Sequence, residues 1–338
     1  MLATGFLVFE KTEKKLMSDP LLARIVGFGI MLAIVVVVLG AYTRLVDAGL
    51  GCPDWPGCYG FIGVPDTQDE IAKAELLYPN APVEPDKAWP EMVHRYFATG
   101  LGALCVALVV VAYRRKARLK MPLILLGLVV LQGAFGAWTV TLKLWPQVVT
   151  AHLLGGFATL SLLFLYWLLL KRPSFAVAHG IPPRLATFGL VVLVFQIGLG
   201  GWVSSNYAAL SCPDFPLCHG QVLPSMDLAK GFDVFQRVGP NYLGGQLSNE
   251  ARVAIQVGHR VGAFLVLFVV GMLVWRTRTL KLGQVVGGLL LLQFILGISN
   301  VVFNLPLVIA VMHNAGGGAL LLGAVALNFA ARNTGKES

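Results

Sequence analysis

Eight long, mostly apolar stretches divide this chain, and they restrict it to a fold that crosses a membrane repeatedly. They are 24–46, 92–113, 121–141, 149–170, 185–205, 253–275, 282–302 and 307–330. About 20 helical residues cross the hydrocarbon core of a bilayer, and backbone polar groups in lipid must be bonded within their own segment. We therefore predict an all-α integral membrane protein with eight transmembrane helices. A composition that is 57% hydrophobic and 13% charged agrees with this class rather than with a soluble domain.

Basic residues cluster in alternate loops, which predicts the orientation. The other loops hold most of the acidic residues, so the positive-inside rule places both termini in the cytoplasm. The expected location is the inner (plasma) membrane of a bacterium. We attribute the net charge of +9 to basic residues at the cytoplasmic edge of the membrane, because the sequence contains no nucleic-acid-binding motif. The basic clusters contain Lys11, Lys14, Lys15, Arg24, Arg114, Arg115, Lys116, Arg118, Lys120, Lys171, Arg172, Arg184, Arg276, Arg278 and Lys281.

The chain also contains an internal repeat. "GCPDWPGCYG" (51–60) returns as "SCPDFPLCHG" (211–220), and flanking segments align at offsets of about 160 residues. Each half is therefore predicted to be four helices in the same order and orientation, giving two tandem four-helix bundles. The predicted parts are a cytoplasmic segment 1–23, a first bundle 24–171 with a long outer loop 47–90, a cytoplasmic linker 172–184, a second bundle 185–330 and a cytoplasmic tail 331–338.

Both cysteine loops are predicted to face outward, which is the oxidising side in a bacterium. Four cysteines allow three pairings, and the short separations favour Cys52–Cys58 and Cys212–Cys218. Cys105 lies in the second apolar stretch and is interpreted as a buried structural residue. Segment 67–90 of the first outer loop is expected to contain a short amphipathic stretch.

Four of the six histidines obey the repeat: His94, His152, His259 and His313. Each is predicted to lie within about two turns of the outer end of its helix, so all four share one depth. A lone histidine there is more often a packing residue. Four histidines at matching positions of the two halves favour a functional role, because ionisable groups at such depths in a membrane are rare. The other two, His179 and His219, are interpreted as surface residues.

Two imidazoles that meet between helices could bind zinc or a haem iron. Zinc prefers three or four protein ligands, whereas only two histidines repeat in each half. Glycines follow the histidines in "GHRVG", "HLLGG" and "HNAGGG" and are expected to leave room for a flat macrocycle. We therefore favour haem with axial histidines. Arg95 and Arg260 are candidates to pair with haem propionates, the alternative being interfacial snorkelling. No C-x-x-C-H motif for covalent haem is present.

The two halves differ beside their first histidines. Glu91 precedes His94 by three residues, whereas Gln256 precedes His259. A carboxylate can take up a proton, and an amide cannot. The alternative is that Glu91 is only an acidic residue at a helix N-terminus, favoured by the helix dipole. Arg44 corresponds to Ser204, a second asymmetry that adds charge to the first half.

Together these features resemble haem A synthase. The resemblance rests on eight spans in two halves, "TRL" before "CPDWPGC", the E-x-x-H-R motif beginning at Glu91, and single histidines in the fourth and eighth spans. It covers essentially the whole chain and is similar to the members that carry cysteine loops.

The resemblance implies an enzyme that oxidises the C8 methyl of haem O to a formyl group, giving haem A for cytochrome oxidase. His94 and His152 would hold the substrate haem, His259 and His313 would hold haem b, and Glu91 would assist the oxidation. The expected partners are haem O, membrane lipid, haem O synthase (a protohaem farnesyltransferase) and cytochrome oxidase assembly factors. A homo-oligomer is left open.

Three other functions compete with this one. A diheme b-type electron-transfer cytochrome would explain the histidines but not the difference between Glu91 and Gln256. A membrane disulfide oxidoreductase would leave the histidines idle, and its cysteines would be expected as C-x-x-C. A transporter would place charged groups nearer the midplane.

Overall fold

The structure, a computed structural model, describes residues 19–173 and 180–333. Within these ranges the chain is almost entirely helical, and its only bridged pairs are Cys58–Phe61 and Cys218–Gln221. The all-α prediction is therefore confirmed. The predicted basic residues Lys11, Lys14 and Lys15, the surface histidine His179 and the tail from residue 334 lie outside the described residues.

Eight of the helices are long and apolar enough to cross a membrane. In the first half they are α1, α3, α4 and α5, and a short helix α2 lies between α1 and α3. In the second half they are α6, α8, α9 and α10, with one short turn of helix, α7. The bounds are α1 Pro20–Leu45, α2 Gln68–Leu77, α3 Pro85–Arg114, α4 Lys120–Thr141, α5 Pro146–Lys171, α6 Pro183–Ser205, α7 Leu228–Gly231, α8 Asn249–Arg276, α9 Lys281–Val302 and α10 Leu307–Asn333.

Local sequence sets where several of these helices begin. The Asp19 carboxylate accepts a hydrogen bond from the backbone N–H of Leu21 at 2.8 Å and so caps α1. Helix α5 begins at Pro146 and α6 at Pro183, where the fixed φ of proline suits a first helical turn and its missing N–H costs nothing. Thr67 forms a capping box with Glu70, which starts α2 inside the segment where an amphipathic stretch was expected.

Most of the membrane-spanning helices begin earlier than the apolar stretches predicted, and α3 does so by the largest margin. Helix α3 begins at Pro85 rather than at residue 92, and α8 begins at Asn249 rather than at residue 253. The added turns are rich in polar residues, so they fall outside the apolar stretches. The backbone nevertheless continues as helix into the outer loop. As a result the first outer loop ends at residue 84 rather than at residue 90.

The same helix pairings occur in each half. Helix α1 packs against α3 and α5, while α4 bridges α3 and α5. Correspondingly, α6 packs against α8 and α10, while α9 bridges α8 and α10. The halves meet where α5 contacts α6 and α10, and where α10 contacts α1.

Many large apolar side chains lie on the outside of this assembly. Phe28 is 64% exposed and Phe268 is 70% exposed, although each lies in the middle of a long helix. An apolar surface of this kind is stable when lipid covers it. The chain is accordingly a multi-pass membrane protein.

Candidate functional site

The two histidines of the first half face each other across its interior. His94 lies on α3 and His152 on α5, with their ring centroids 6.5 Å apart and their planes at 90°. A metal–nitrogen bond of ~2 Å puts each ring centre ~3 Å from the metal, so two imidazoles on opposite sides of one ion would be ~6 Å apart. The observed separation fits an iron held between the rings.

The second half also carries a histidine on each of the two corresponding helices, His259 on α8 and His313 on α10. These two side chains are close enough to interact electrostatically. The structure thus brings together the histidine pairs that the repeat predicted. Within the described ranges, no three His, Cys, Asp or Glu residues cluster in a way that would hold a bare metal ion.

The predicted depth of the histidines was only partly right. His152 and His313 each lie six residues after the first residue of their helices. His94 and His259 lie nine and ten residues after theirs, which is more than the two turns expected. The reason is the early start of α3 and α8, which carries these two helices further out than their apolar stretches.

Four glycines that the sequence did not predict as part of the site face the four imidazoles from the neighbouring helix. A Cβ built on each glycine would lie 2.9–3.7 Å from the Cε1 atom of the histidine opposite. Three of the four distances are at or below 3.3 Å, which is tighter than ordinary contact. The glycines therefore keep space beside the rings. The pairs are Gly40 with His94, Gly136 with His152, Gly200 with His259 and Gly297 with His313.

The glycines that follow the histidines in sequence have a different role from the expected one. A Cβ at Gly155, Gly262 or Gly316 would overlap a glutamine side chain from the adjacent helix. The prediction that these positions leave room for a macrocycle is therefore wrong, because protein atoms already fill the space. The repeat could have indicated the facing glycines, since Gly40 and Gly200 occupy matching places in "LGAY" and "LGGW".

Several ring nitrogens are left without partners inside the protein. Nδ1 of His94, of His152 and of His313 is buried, and no hydrogen bond of normal geometry reaches it from the described residues. Buried polar atoms are almost always satisfied, so an orphaned nitrogen beside a glycine-lined space is a typical feature of a ligand site. Imidazole pairs with small residues beside them are a donor set that suits a haem iron.

Glu91 is buried and tied to the first cysteine loop. Only 5% of the residue is exposed, and its Oε2 atom accepts a hydrogen bond from the Cys52 backbone N–H at 2.9 Å. Its Oε1 atom forms an ion pair with Arg95 at 2.5 Å. Helix α3 begins six residues earlier, so Glu91 lies in the second turn, outside the first turn where the dipole effect is concentrated. The helix-dipole interpretation is therefore weakened.

Gln256 takes the corresponding place in the second half and is equally buried, at 5% exposure. Its Oε1 atom has no hydrogen-bond partner among the described residues. The two halves thus differ in charge at one buried position while sharing the surrounding scaffold.

Both arginines that follow a histidine bind the cysteine loop above it. Arg95 donates to the carbonyl oxygens of Asp54 and Gly57. Arg260 donates to the carbonyl oxygens of Leu217 at 2.7 Å and Cys212 at 2.9 Å. These hydrogen bonds attach each cysteine loop to the helix beneath it. A role of the two arginines in binding haem propionates stays a prediction.

The cysteine loops have the expected pairing. Disulfides join Cys52 to Cys58 and Cys212 to Cys218, while Cys105 is free and buried. His219 is exposed, as expected for a surface residue.

An aspartate closes each loop in the same way. Asp54 accepts hydrogen bonds from the backbone N–H groups of Tyr59 and Gly60. In the second loop the amide groups of Gly220 and His219 hold the pKa of the Asp214 carboxyl below its usual range. Matching contacts at matching positions show that the sequence repeat is also a structural repeat in these loops.

Arg44 and Ser204, which correspond in the repeat, meet at the boundary between the halves. Arg44 donates to the Ser204 carbonyl oxygen at 2.5 Å, and its guanidinium lies 4.1 Å from the ring centre of Tyr207. The Tyr207 hydroxyl donates to Asp47 at 2.9 Å. This asymmetry is therefore part of the junction between halves.

Comparisons with known proteins agree with these observations. Residues 23–325 match the family model COX15-CtaA, described as cytochrome oxidase assembly protein. A haem A synthase of Shewanella oneidensis is 46% identical over 309 residues, covering 89% of this chain and 93% of that protein. Haem A synthases of Caulobacter vibrioides and Maricaulis maris are each 30% identical, over 88% of this chain and 91% and 92% of theirs.

Proposed function

The chain belongs to the haem A synthase family, COX15-CtaA, and from that premise we propose that it oxidises the C8 methyl of haem O to a formyl group. The change from methyl to formyl removes four electrons and four protons and adds one oxygen, for which water is the proposed source. The product, haem A, would serve cytochrome oxidase. Haem O synthase, a protohaem farnesyltransferase, and cytochrome oxidase assembly factors are the proposed partners.

The first half is the proposed catalytic bundle. His94 and His152 would hold the substrate haem between α3 and α5, supported by their 6.5 Å ring separation. Gly40 and Gly136 face these rings and leave the space beside them free of side chains. The substrate would enter from the membrane, since apolar side chains cover the outside of both halves.

Glu91 is the proposed proton acceptor. Its carboxylate is three residues before His94 on the same helix, so the two side chains share a face of α3. Burial removes competing water, and the bonds from Arg95 and the Cys52 N–H fix the position of the two oxygens. A fixed, water-shielded carboxylate can take a proton or stabilise positive charge at a neighbouring group.

The second half is the proposed resident-haem bundle, in which His259 and His313 would hold haem b. Bound haem b would supply a one-electron carrier that passes the withdrawn electrons onward. Gln256 at the place of Glu91 does not ionise and cannot act as an acid or base, which supports a role without methyl chemistry. We also propose that both termini are cytoplasmic and that the membrane is the bacterial inner membrane, from the alternation of basic loops.

The buried Glu91 carboxylate, present in one half only, is the observation that carries this function, and Glu91→Gln tests it. The variant should retain haem b and haem O yet form no haem A, because glutamine keeps the size of the side chain and loses its proton chemistry. Chromatography of the haems extracted from purified wild type and variant measures this. Gln256→Glu is the matched control and should still form haem A.

Three results would count against the proposal. Haem A in the Glu91→Gln protein would remove Glu91 from the reaction. Haem b alone in the wild type would identify a diheme electron carrier instead. A colourless wild-type protein would contradict both haem sites.

A further inference from the structure

Two aromatic rings close the line of contact, or seam, between α8 and α9 in the second half. Phe264 on α8 and Phe294 on α9 meet there, with ring centroids 5.7 Å apart and ring planes at 65°. Phe264 is 50% exposed, so the pair lies on the lipid side of the bundle. Phe264 follows His259 by five residues, which is about 7.5 Å along a helix axis. The two rings therefore close the seam next to the level of the imidazoles.

The same seam in the first half, between α3 and α4, is built from small side chains. The repeat places Thr99 at the position of Phe264 and Gly133 at the position of Phe294. The Thr99 hydroxyl donates to the Arg95 carbonyl oxygen of its own helix at 2.8 Å, so it does not reach across the seam. A Cβ built on Gly133 would meet no atom of another helix within 4 Å among the described residues. The α3–α4 seam therefore has open space where the second half has two phenyl groups.

The open part of this seam is short and lies beside the first histidine pair. One turn further from the cysteine loop, a Cβ on Gly102 would lie 3.5 Å from Cγ1 of Val129, an ordinary contact between α3 and α4. One turn nearer the cysteine loop, Arg95 is bound to that loop. On the other side of α4, Gln132 fills the seam with α5, since a Cβ at Gly155 would overlap its side chain. The opening is thus confined to one side of α4 and to about one or two helical turns.

Helix α4 is the least buried of the eight spans. Along α4, which the structure describes throughout, no residue from 126 to 139 is buried. In the matching part of α9, Leu290 and Leu296 are buried. The opposite side of each site is covered by the other half, because α1 packs against α10 and α6 packs against α5. Lipid therefore comes closest to the histidine pairs at α4 and at α9, and the aromatic pair closes the seam only at α9.

We propose that the α3–α4 seam is the route by which the substrate haem enters the first half from the membrane and the product leaves it. Phe264 and Phe294 close the corresponding route and keep the haem of the second half in place. This inference rests on the proposed function. A substrate must exchange once per turnover, whereas a resident group must stay. Passage between closely packed helices is slow when bulky side chains have to be displaced first.

Exchanging the two seams between the halves tests the proposal. Thr99→Phe combined with Gly133→Phe gives the first half an aromatic pair, and Phe264→Thr combined with Phe294→Gly removes the pair from the second half. Protein carrying haem b is purified from cells that make no haem O and is placed in lipid nanodiscs. Uptake of added haem O is followed by the absorbance change. Release of each haem is followed by its transfer to excess apomyoglobin, with chromatography to identify it.

The first-half variant should take up haem O and release it about tenfold more slowly than wild type, with its affinity for haem O little changed. Equal slowing in both directions indicates a barrier on the route, because a barrier does not alter the binding equilibrium. The second-half variant should release haem b about tenfold faster than wild type. Its haem b absorbance spectrum should match that of wild type, since neither phenylalanine is a proposed ligand.

Two matched controls change the same kinds of side chain away from the seam. Val130→Phe adds a ring to the lipid side of α4, where Val130 is 66% exposed. Phe195→Thr removes a ring from the lipid side of α6, where Phe195 is 63% exposed. Both variants should take up haem O and release each haem at the rates of wild type.

Unchanged rates in either folded variant would overturn the proposal for the half that it alters. Loss of haem O affinity without slower uptake would also overturn it, because the added rings would then occupy the site rather than the route. If one variant does not fold, the other tests the proposal alone through its own rate. Wild type that takes up no haem O would instead contradict the proposed function, and the rate of haem b release would still test the seam of the second half.

Discussion

The two cysteine loops are built alike but are joined to the helices beneath them differently. In each loop an arginine from the span below, Arg95 or Arg260, donates to loop carbonyls. Only in the first half does a buried carboxylate, Glu91, connect the arginine to the loop by also accepting from the Cys52 N–H. The difference teaches that the repeat supplies one scaffold twice, and that a single buried substitution, Glu91 against Gln256, gives the two copies a different charge at one position.

The strongest test of this comparison removes one histidine at a time. Because each pair comes from helices of one half, His152→Ala should lose haem O and haem A while keeping haem b. His313→Ala should do the opposite. Haem quantification by chromatography on purified protein checks both. If either single substitution removed every haem from a folded protein, the two halves would not act as separate sites.

The two arginines should differ in their effect on stability. Arg95→Gln leaves the buried Glu91 carboxylate unpaired and should lower the free energy of unfolding by about 3–5 kcal/mol. Arg260→Gln loses hydrogen bonds without stranding a carboxylate and should cost about 1–3 kcal/mol.

Denaturant unfolding in detergent compares these variants. Adding Glu91→Gln to Arg95→Gln should recover part of the loss, because the unpaired charge disappears. Equal destabilisation by the two arginine substitutions would show that the Glu91 ion pair does not distinguish the halves.

The disulfides should be alike in stability and unlike in chemistry. Closing so short a loop stabilises by about 2 kcal/mol, so replacing either pair with serine should lower the melting temperature similarly. Replacing Cys52 and Cys58 should also reduce haem A formation, since the Cys52 N–H holds Glu91. Replacing Cys212 and Cys218 should leave it nearly intact. A thermal melt and a product assay on the same preparations decide this, and equal product loss would contradict it.

The smallest effects are expected at the glycines that face the imidazoles. A Cβ at Gly40 would lie 2.9 Å from His94 Cε1, whereas one at Gly136 would lie 3.7 Å from His152 Cε1. Gly40→Ala should therefore shift its histidine and cost about 1 kcal/mol, and Gly136→Ala should be nearly neutral. Melting temperature and haem content measure both. A larger loss at Gly136 would show that ring crowding is not the controlling factor.

The sequence predicted the spans well and their outer ends less well. Apolar runs report only the part of a helix that lies in lipid, so the polar first turns of α3 and α8 were assigned to loops. Residues at equivalent positions of the repeat, such as His94 and His259, could be matched from the alignment of the two halves alone. The disulfide pairing was also predictable, because only five residues lie between the cysteines of each pair and any other pairing would have to join the two halves.

By itself the sequence determined that the chain is helical, crosses a membrane and carries two copies of one histidine-bearing unit, because periodicity and composition are local properties. Only the tertiary structure decided that Gly40 rather than a glycine beside His94 keeps space at that ring, that Glu91 binds the cysteine loop, and that Phe264 meets Phe294. Those contacts join residues far apart in the chain. Their geometry depends on how helices pack, which no single segment specifies.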